Sequence, residues 1–201
     1  MSASTTTTAP LISAVRARFP AQVLGSHAYR GQETVVIARD ALADLARHLK
    51  AEPSLAFDFL MDLSCVDYLK FGKTASSAPR LATPSPLPYY MTPKASAETW
   101  ERGASNDEYR FEVVYHFFSS RHRHRLRVKV PLTSADPVVD SLTSLWAGAD
   151  WFEREVWDMF GIRFTGHPNL RRILMYEEFR GHPLRKDYPV RRRQPLIGPV
   201  N

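Results

Sequence analysis

The spacing of apolar residues near the start of the chain predicts a helix and then a hairpin. Apolar side chains recur every three to four positions over residues 11–19, as on one face of a helix, and Pro20 ends the pattern. The β-branched run at 34–37 is typical of a strand. A turn at 30–31 predicts that the hairpin partner of this strand lies near 22–29.

A second helix and another strand are predicted next. Asp40 is placed to cap a helix with a face of leucine and alanine, and Pro53 ends that helix. The strand after it alternates, and four apolar residues are expected to share one of its faces: Phe57, Phe59, Met61 and Leu63.

The middle of the chain contains the clearest hairpin signal. Apolar residues at alternate positions of 109–118 predict a strand, and those of 125–130 predict its antiparallel partner. The second face of this hairpin is largely basic because of Arg125, Arg127 and Lys129. Residues 72–106 contain five prolines and no usable period, so they are predicted to form a long surface loop.

Two more helices are predicted before the periodicity fades. Asp136, followed by a proline, is typical of an N-cap, and Gly148 would close that helix. Asp150 and Glu153 have the spacing of a capping box, and the helix that they would open ends at Gly161.

Together these elements predict an α+β fold, because strands and helices do not alternate strictly enough for a doubly wound sheet. We expect one domain over 10–165 with a mainly antiparallel sheet and helices on one face, after a disordered leader at 1–9. Residues 166–201, rich in Pro, Gly and Arg, are predicted to form an extended irregular basic strap. The uncovered basic face of the sheet could dock a partner.

Composition limits the chemistry open to the chain. The one cysteine, Cys65, excludes an intrachain disulfide, a four-thiolate zinc site and a self-contained iron–sulfur cluster. No phosphate-binding glycine loop, dinucleotide fingerprint, zinc-protease motif or nucleophile elbow is present, so no chemistry of its own is expected. With no membrane-spanning apolar run and no secretory signal, a reducing compartment is expected.

The formal net charge of +6 comes from the C-terminal fifth of the chain. Residues 161–201 contain nine Lys or Arg and three Asp or Glu, whereas residues 1–160 contain 18 of each sign. This asymmetry predicts an acidic partner for the strap: nucleic acid, a membrane surface or an acidic groove on another protein. Nucleic acid is disfavoured, because few aromatic residues accompany the arginines.

Polar clusters add further candidates. Arg154 and Asp158 are expected to form an ion pair one helical turn apart, and the tryptophans beside them indicate an interface more than an active site. Two Gly-His-Pro triplets, at 166–168 and 181–183, predict fixed bends in the strap. Three histidines near the hairpin could bind a transition metal, although such side chains are more often solvated: His116, His122 and His124.

The segment 151–190 resembles the signature region of the C subunit of proton-pumping NADH:quinone oxidoreductase, respiratory complex I, which is called the J subunit in chloroplast-type complexes. The resemblance rests on the runs 153–155 (Glu-Arg-Glu), 158–160 (Asp-Met-Phe), 167–174 (HPNLRRIL) and 181–189 (GHPLRKDYP). It covers most of the chain outside the leader, the 72–106 loop and the C-terminal end. That loop is longer than the usual connection of the family.

The resemblance implies a hydrophilic structural and assembly subunit of the peripheral arm that binds no cofactor and has no catalytic or metal-binding residues. FMN and iron–sulfur clusters would be carried by partner subunits, through which electrons pass from NADH to quinone. The strap is expected to contact the D subunit of the complex, which shapes the quinone cavity, with the B and I subunits nearby. The complex is expected at the cytoplasmic face of the bacterial inner membrane, and the isolated chain is expected to be inactive.

Polar residues of the last helix and the strap are the predicted contacts with partners: Glu153, Arg154, Asp158, His167, Arg171, Arg172, His182, Arg185 and Asp187. Because an extended strap leaves backbone donors unpaired, it is predicted to become ordered on binding. Alternatives are the equivalent subunit of a membrane-bound hydrogenase or of a ferredoxin- or deazaflavin-dependent complex. More distant alternatives are a nucleic-acid-binding module and a metalloenzyme that uses the three histidines.

Overall fold

A five-stranded sheet runs through the part of the chain that the computed structural model describes, residues 9–69 and 109–189 with 191 and 194. Its strands are β1 (Val23–Tyr29), β2 (Gln32–Ile37), β3 (Phe59–Asp67), β4 (Phe111–Phe118) and β5 (Arg125–Leu132). In the order β1-β2-β5-β4-β3, β2 and β5 are parallel and all other neighbours are antiparallel. The predicted mainly antiparallel sheet is therefore confirmed, as is the β4–β5 hairpin.

The β1–β2 hairpin closes through a two-residue turn. Arg30 and Gly31 connect the strands, and both have positive φ angles, of 50° and 75°. Positive φ at both central residues is the geometry of a type I′ turn, whose twist matches that of the flanking strands. The predicted turn and hairpin are confirmed.

Three helices pack on one face of the sheet, as predicted: α1 (Pro10–Arg18), α2 (Leu42–Ala51) and α3 (Ala149–Phe160). Their apolar side chains join the inward-facing residues of the strands in one buried cluster. Burying a large apolar side chain contributes about 1.5–3 kcal/mol, so alternation along a strand determines which face points inward. β4, which pairs with β5 and β3, contributes four buried side chains to this core: Phe111, Val113, Tyr115 and Phe117.

A buried carboxylate fixes the position of α1. The Ile12 N–H donates to Glu33 Oε2, on the inner face of β2, at 2.7 Å. The first N–H groups of a helix have no partner within the helix and carry partial positive charge, so a carboxylate stabilises them. This contact joins the first helix to the sheet.

The phase of β3 differs from the prediction. A bulge between Leu60 and Asp62 interrupts the pairing with β4 and shifts the alternation of faces. Leu60 and Leu63 are both buried, whereas Phe59 and Met61 are 56% and 36% exposed. The prediction that these two exposed side chains share a face with Leu63 is wrong, because a regular two-residue period does not locate a bulge.

The predicted helix after Asp136 is also wrong. The segment instead contains β6 (Val138–Asp140), which pairs in parallel with β7 (Arg163–Thr165) and is followed by turns. Asp136 accepts a hydrogen bond from Arg39 Nη1 at 2.6 Å and caps no helix. Consecutive valines favour extended backbone. Two apolar residues after β6 are buried although they lie in no helix: Leu142 and Trp146.

Neither of the other two predicted N-caps forms. Asp40 lies in a short 3-10 turn before α2 and pairs with Arg39. Gly148 takes the N-cap position of α3, and the Glu153 carboxylate accepts the N–H of Leu142 instead of an N–H of its own helix. The end of α3 is as predicted, because Gly161 adopts the left-handed conformation with φ of 73°.

Two predictions fall largely outside the described residues, namely the disordered leader, of which only residue 9 is described, and the surface loop at 72–106. Within 9–69 and 109–189, no helix is long and apolar enough to cross a membrane.

A substitution at Phe117 tests the packing of the core. The Phe117 ring is 1% exposed and lies 5.0 Å from the Trp146 ring and 6.0 Å from the Tyr115 ring, between ring centroids. We expect Phe117→Ala to lower the free energy of unfolding by about 3–5 kcal/mol, because it leaves a cavity. Urea denaturation measures the change.

Phe59→Ala is the matched control, because this ring belongs to the same sheet and is 56% exposed. We expect this variant to lose less than about 1 kcal/mol. Equal losses in the two variants would contradict the assignment of the inner and outer faces.

Candidate interface site: the anchored strap

The described part of the strap, residues 166–189 with 191 and 194, contains no helix or strand and folds back over the end of α3. Its geometry depends on two bends where glycines adopt positive φ angles, 82° at Gly166 and 102° at Gly181. Each glycine is followed by His-Pro. The predicted pair of bends is confirmed.

The carboxylate of Asp158 is the main anchor of the strap. Asp158 lies on α3 and is fully buried. Its Oδ2 accepts the N–H groups of Ile173, Leu174 and Met175 at 3.1, 2.9 and 2.9 Å, and its Oδ1 accepts Arg172 Nη1. Burial alone would raise the pKa of Asp158, but these four hydrogen bonds hold it below its ordinary value. The three consecutive N–H groups form an anion-binding concavity.

Arg172 closes the loop that follows this anchor. Besides Asp158, its guanidinium donates to the carbonyls of Phe179 and Gly181 at 2.8 and 3.1 Å. It also lies over the rings of Trp157 and Phe179, 5.8 and 5.6 Å from their centroids. One side chain therefore holds both ends of residues 172–181 against α3.

The second bend caps the C-terminus of α3. The carbonyl of Asp158 accepts His182 Nδ1–H at 3.0 Å, that of Met159 accepts the Leu184 N–H at 3.1 Å, and that of Phe160 accepts Arg185 Nε at 2.5 Å. These carbonyls have no partner within the helix and carry partial negative charge, which the Arg185 cation complements. Burial and the nearby arginines lower the pKa of His182, so its imidazole is neutral.

Arg110 joins the far end of the strap to the sheet. Its guanidinium contacts both carboxylate oxygens of Asp67, at 3.0 and 2.8 Å, and both of Asp187, at 3.0 and 2.7 Å. The Lys186 N–H also donates to Asp67 Oδ2 at 2.9 Å. Burial would raise the pKa of Asp67, but Arg110 and these donors lower it overall. Arg110 also lowers the pKa of Asp187.

Arg154 binds the strap differently from the prediction. Its guanidinium donates to the carbonyls of Arg171 and Arg172 at 3.2 and 3.1 Å and lies over the Trp151 ring, 5.5 Å from the centroid. The predicted ion pair with Asp158 is wrong, because that carboxylate pairs with Arg172 of the strap.

Glu153 lies in the protein interior. Its Oε1 accepts the Leu142 N–H at 2.7 Å, and its side chain is fully buried. Burial raises the pKa of Glu153 to about 7, although the nearby Ser141 hydroxyl and the Leu142 N–H act to lower it. Within the described residues, three buried side-chain atoms lack a hydrogen-bond partner: Glu153 Oε2, Tyr115 Oη and Trp146 Nε1.

His167 fixes the first bend. Its Nε2 lies 3.2 Å from the Asp150 carbonyl and 3.2 Å from Asp150 Oδ1, while its Nδ1 accepts the Asn169 N–H at 3.0 Å. Because Nδ1 accepts, Nε2 carries the proton and donates. The imidazole therefore connects the start of α3 with the start of the strap.

Eight of the nine predicted interface residues bond through their side chains to groups of this same chain. The ninth, Arg171, has an exposed side chain. The sequence predicts that a second protein supplies the bonding partners of these side chains. In the structure, the chain itself supplies the partners of eight of them. Contact of these nine residues with a partner remains a prediction.

Sequence reasoning missed Asp67 and Arg110. They border the long segment 72–106, and nothing in their spacing indicates that they meet. One signal was available, since Asp67 occupies an inward-facing position of β3, and a buried carboxylate needs a charged partner.

The three histidines considered as metal ligands contact other groups. His122 Nε2 lies 2.9 Å from the Pro53 carbonyl, and His124 Nε2 lies 2.8 Å from the Leu55 carbonyl. His116 lies on the outer face of β4 opposite Asp62. Among the residues that the structure describes, no group of three or more His, Cys, Asp or Glu side chains could hold a metal ion.

Gly161 tests the attachment of the strap. A Cβ there would lie 2.6 Å from atoms of His182 and Arg185, and the φ of 73° is strained for any L side chain. We expect Gly161→Ala to release the strap and to speed tryptic cleavage after Arg180 and Lys186 by at least about tenfold, which corresponds to about 1.4 kcal/mol of local opening.

Gly166→Ala provides the control, because φ there is 82° but nothing lies within 4 Å of the added Cβ. It should cost only the backbone strain of about 1–2 kcal/mol and leave cleavage at these two sites close to that of the parent chain. Equal cleavage of the two variants would contradict the docking of His182 and Arg185 on Gly161.

The buried carboxyl of Glu153 predicts a pH effect. Its pKa rises from 4.5 to about 7 on folding, so the native state binds this proton more tightly than the unfolded state does. The contribution of this pKa shift to the free energy of unfolding is fully present below about pH 4.5. It is lost, by about 3 kcal/mol, as the pH rises through 7.

Glu153→Gln removes this titration and can still accept the Leu142 N–H. The difference in free energy of unfolding, variant minus parent chain, should rise by about 3 kcal/mol from about pH 4.5 to about pH 8. Urea denaturation at both pH values measures it. Contributions of the other acids cancel in this difference. A difference independent of pH would show that Glu153 is ionised in the native state.

Comparisons with known proteins agree with this architecture. The family model described as "Respiratory-chain NADH dehydrogenase, 30 Kd subunit" matches residues 35–194. The C subunit of the NADH-quinone oxidoreductase of Roseiflexus sp. (strain RS-1) is 40% identical over 182 residues, 90% of this chain and 84% of that protein. The corresponding C subunit of Citrifermentans bemidjiense is 38% identical over 186 residues, 92% of each chain.

Two solved structures resemble the described fold. A trypsin-resistant fragment of Nqo5 is 28% identical with a TM-score of 0.55, covering 81% of this chain and 100% of the fragment. A chain of the membrane-bound sulfane sulfur reductase, an archaeal respiratory membrane complex, has a TM-score of 0.62 at 16% identity, over 90% of this chain and 84% of that one. This chain belongs to the family of the 30 kDa subunit of respiratory-chain NADH dehydrogenase, which is the C subunit of NADH-quinone oxidoreductase.

Proposed function

We propose that this chain is a structural subunit of the peripheral arm of a proton-translocating NADH:quinone oxidoreductase, and that the outward side of its strap binds the quinone-cavity subunit, the D subunit of the complex. The observation that carries the proposal is the division of the strap into two sides. The inward side is bound to α3 and the sheet. The outward side exposes Leu174 and Leu184, at 58% and 49%. Charged side chains of the strap are exposed as well, including three basic and two acidic ones: Arg171, Arg180, Lys186, Glu177 and Glu178.

The exposed side chains have the composition of a protein interface. Apolar residues surrounded by arginines are typical of contact surfaces, in which the apolar groups are buried and the cations pair with acids of the partner. We therefore propose an apolar groove with acidic margins on the quinone-cavity subunit as the binding surface, with the B and I subunits nearby. The sequence predicts a strap that becomes ordered on binding. We propose instead that the anchors within this chain hold its described part in one shape before binding, which lowers the entropic cost of association.

A structural role without electron transfer by this chain is part of the proposal. The only thiol, Cys65, is buried, and burial raises its pKa further, so it stays protonated and is a poor metal ligand. Partner subunits would carry FMN and the iron–sulfur clusters, and this chain would support electron transfer from NADH to quinone by holding those subunits in place. It would associate with the cytoplasmic side of the membrane only through them.

An affinity experiment tests the assignment. The chain carries an N-terminal tag, host membranes are extracted gently, and stoichiometric partners are identified by mass spectrometry. We expect a quinone-cavity subunit, cluster-bearing subunits and NADH-dependent quinone reduction. Recovery of hydrogenase subunits would instead assign the chain to a membrane-bound hydrogenase. Recovery of nucleic acid alone would refute the proposal.

Introducing charge on the outward side tests the surface itself. We expect the double variant Leu174→Asp with Leu184→Asp to reduce recovery of the quinone-cavity subunit at least about tenfold, because carboxylates replace apolar contacts opposite acidic margins. Both side chains are exposed, so folding should be unaffected.

Leu24→Asp is the matched control, because this leucine is also 49% exposed but lies on β1, at the opposite edge of the sheet from β3. The Leu24→Asp variant should recover as much of the quinone-cavity subunit as the parent chain does. An equal loss of the quinone-cavity subunit for Leu24→Asp would contradict the proposal that the strap binds this subunit.

A further inference from the structure

A groove crosses the outer face of the sheet, the face that α1, α2 and α3 leave uncovered. It encloses about 220 Å³. It follows one row of paired residues over four strands, because Glu33 of β2 pairs with Leu126, Leu126 with Phe117, and Phe117 with Leu60. The outward side chains that line it come from each of these strands: Gln32, Arg125, Arg127, His116, Met61 and Asp62.

The end of the groove at β3 is apolar and exposed. The bulge of β3 places Met61 on the outer face, beside Phe59. These side chains are 36% and 56% exposed. Large apolar side chains grouped on a sheet face that none of the three described helices covers are typical of contact surfaces. A bulge that changes the direction of a side chain is a common feature of such sites.

The part of the groove on β5 carries positive charge without a bonded acid. Neither Arg125 nor Arg127 has a carboxylate within 4.0 Å among the described residues, whereas the next cation along β5, Lys129, pairs with Glu112 at 2.8 Å. Arg125 lies over the ring of Phe118, 5.7 Å from its centroid.

Three further titratable groups border the groove. Burial and Arg127 lower the pKa of the His116 imidazole, which leaves the ring neutral. Asp62 is opposite it on β3. The Glu33 carboxylate accepts the Ile12 N–H on the inner face of the sheet. The groove therefore carries two cations on β5, whereas β3 carries apolar side chains and one anion, so the positive part and the apolar part are distinct.

We infer that this groove binds an extended segment of a second protein in the assembly, with an acidic residue on Arg125 and Arg127 and an apolar residue on Phe59 and Met61. Two strand spacings of about 4.8 Å separate β5 from β3 and give a length of about 10 Å, which an extended segment of about three residues covers. The inference rests on the proposed function only in assigning the partner to the same complex.

The chemistry favours protein over nucleic acid. A polyanion would place phosphates along the whole groove, and Asp62 lies in it beside the apolar end. Nucleic-acid surfaces need cations along the full path of the backbone. A peptide that is acidic at one end and apolar at the other matches both ends. This surface is separate from the strap, which meets β3 at Asp67, six residues along the strand from Met61.

Photo-cross-linking in the intact complex tests the inference. Benzoylphenylalanine replaces Phe59 in one complex and Leu174, on the strap, in another. We expect the Phe59 probe to form an adduct with an acidic and apolar segment of another subunit. We expect the Leu174 probe to react with the proposed strap partner, so the two proposals have separate readouts.

Charge variants in the Phe59-probe complex provide the decisive comparison. Arg125→Glu with Arg127→Glu should reduce the adduct at least about tenfold, whereas Arg125→Lys with Arg127→Lys should keep most of it. The Leu174 adduct should be unchanged in both.

Several results would overturn the inference. They are adducts at Leu174 but none at Phe59, a Phe59 adduct with nucleic acid or within this same chain, and a yield that does not respond to charge reversal. Absence of both adducts would refute the proposed function, and this inference with it.

Discussion

The path of the strap over α3 depends on one buried carboxylate. Asp158 has no contact with solvent, and an unpaired charge in such a position costs several kcal/mol. The chain removes this cost by bringing three consecutive backbone N–H groups and the guanidinium of Arg172 to the carboxylate. A segment without regular secondary structure is thereby held in a defined path. The caps on the end of α3 and the Arg110 bridge extend the same principle to the rest of the strap.

The sequence predicts the fold well where periodicity is strong and fails where a single local event changes it. Alternation identifies β4 and β5, and the turn at Arg30 and Gly31 identifies the first hairpin. The phase of β3 is lost to one bulge. The stretch after Asp136 has the composition of a capped helix, but its valines pair with β7. Neither event leaves a sign in the spacing of apolar residues.

The site shows the same limit at longer range. The polar residues of α3 and the strap are visible in the sequence as candidates for strong interactions, and they do form them. Their partners are not visible, because each pairing depends on how the strap folds back. Asp158 and Arg172 are 14 residues apart, whereas Arg110 and Asp187 are separated by 77. Only the folded chain shows that Arg154 binds carbonyls of the strap and that Asp158 binds Arg172.

The Asp67–Arg110 pair has a consequence for the length of the chain between these residues. Their side chains form two hydrogen bonds, and the Tyr68 N–H donates to the Arg110 carbonyl at 2.9 Å, so this intervening segment starts and ends at one fixed point. The entropy of closing a loop grows only with the logarithm of its length, by about 0.6 kcal/mol for each doubling. Because the same Arg110 also holds Asp187, the segment between β3 and β4 can lengthen or shorten during evolution while the attachment of the strap is preserved.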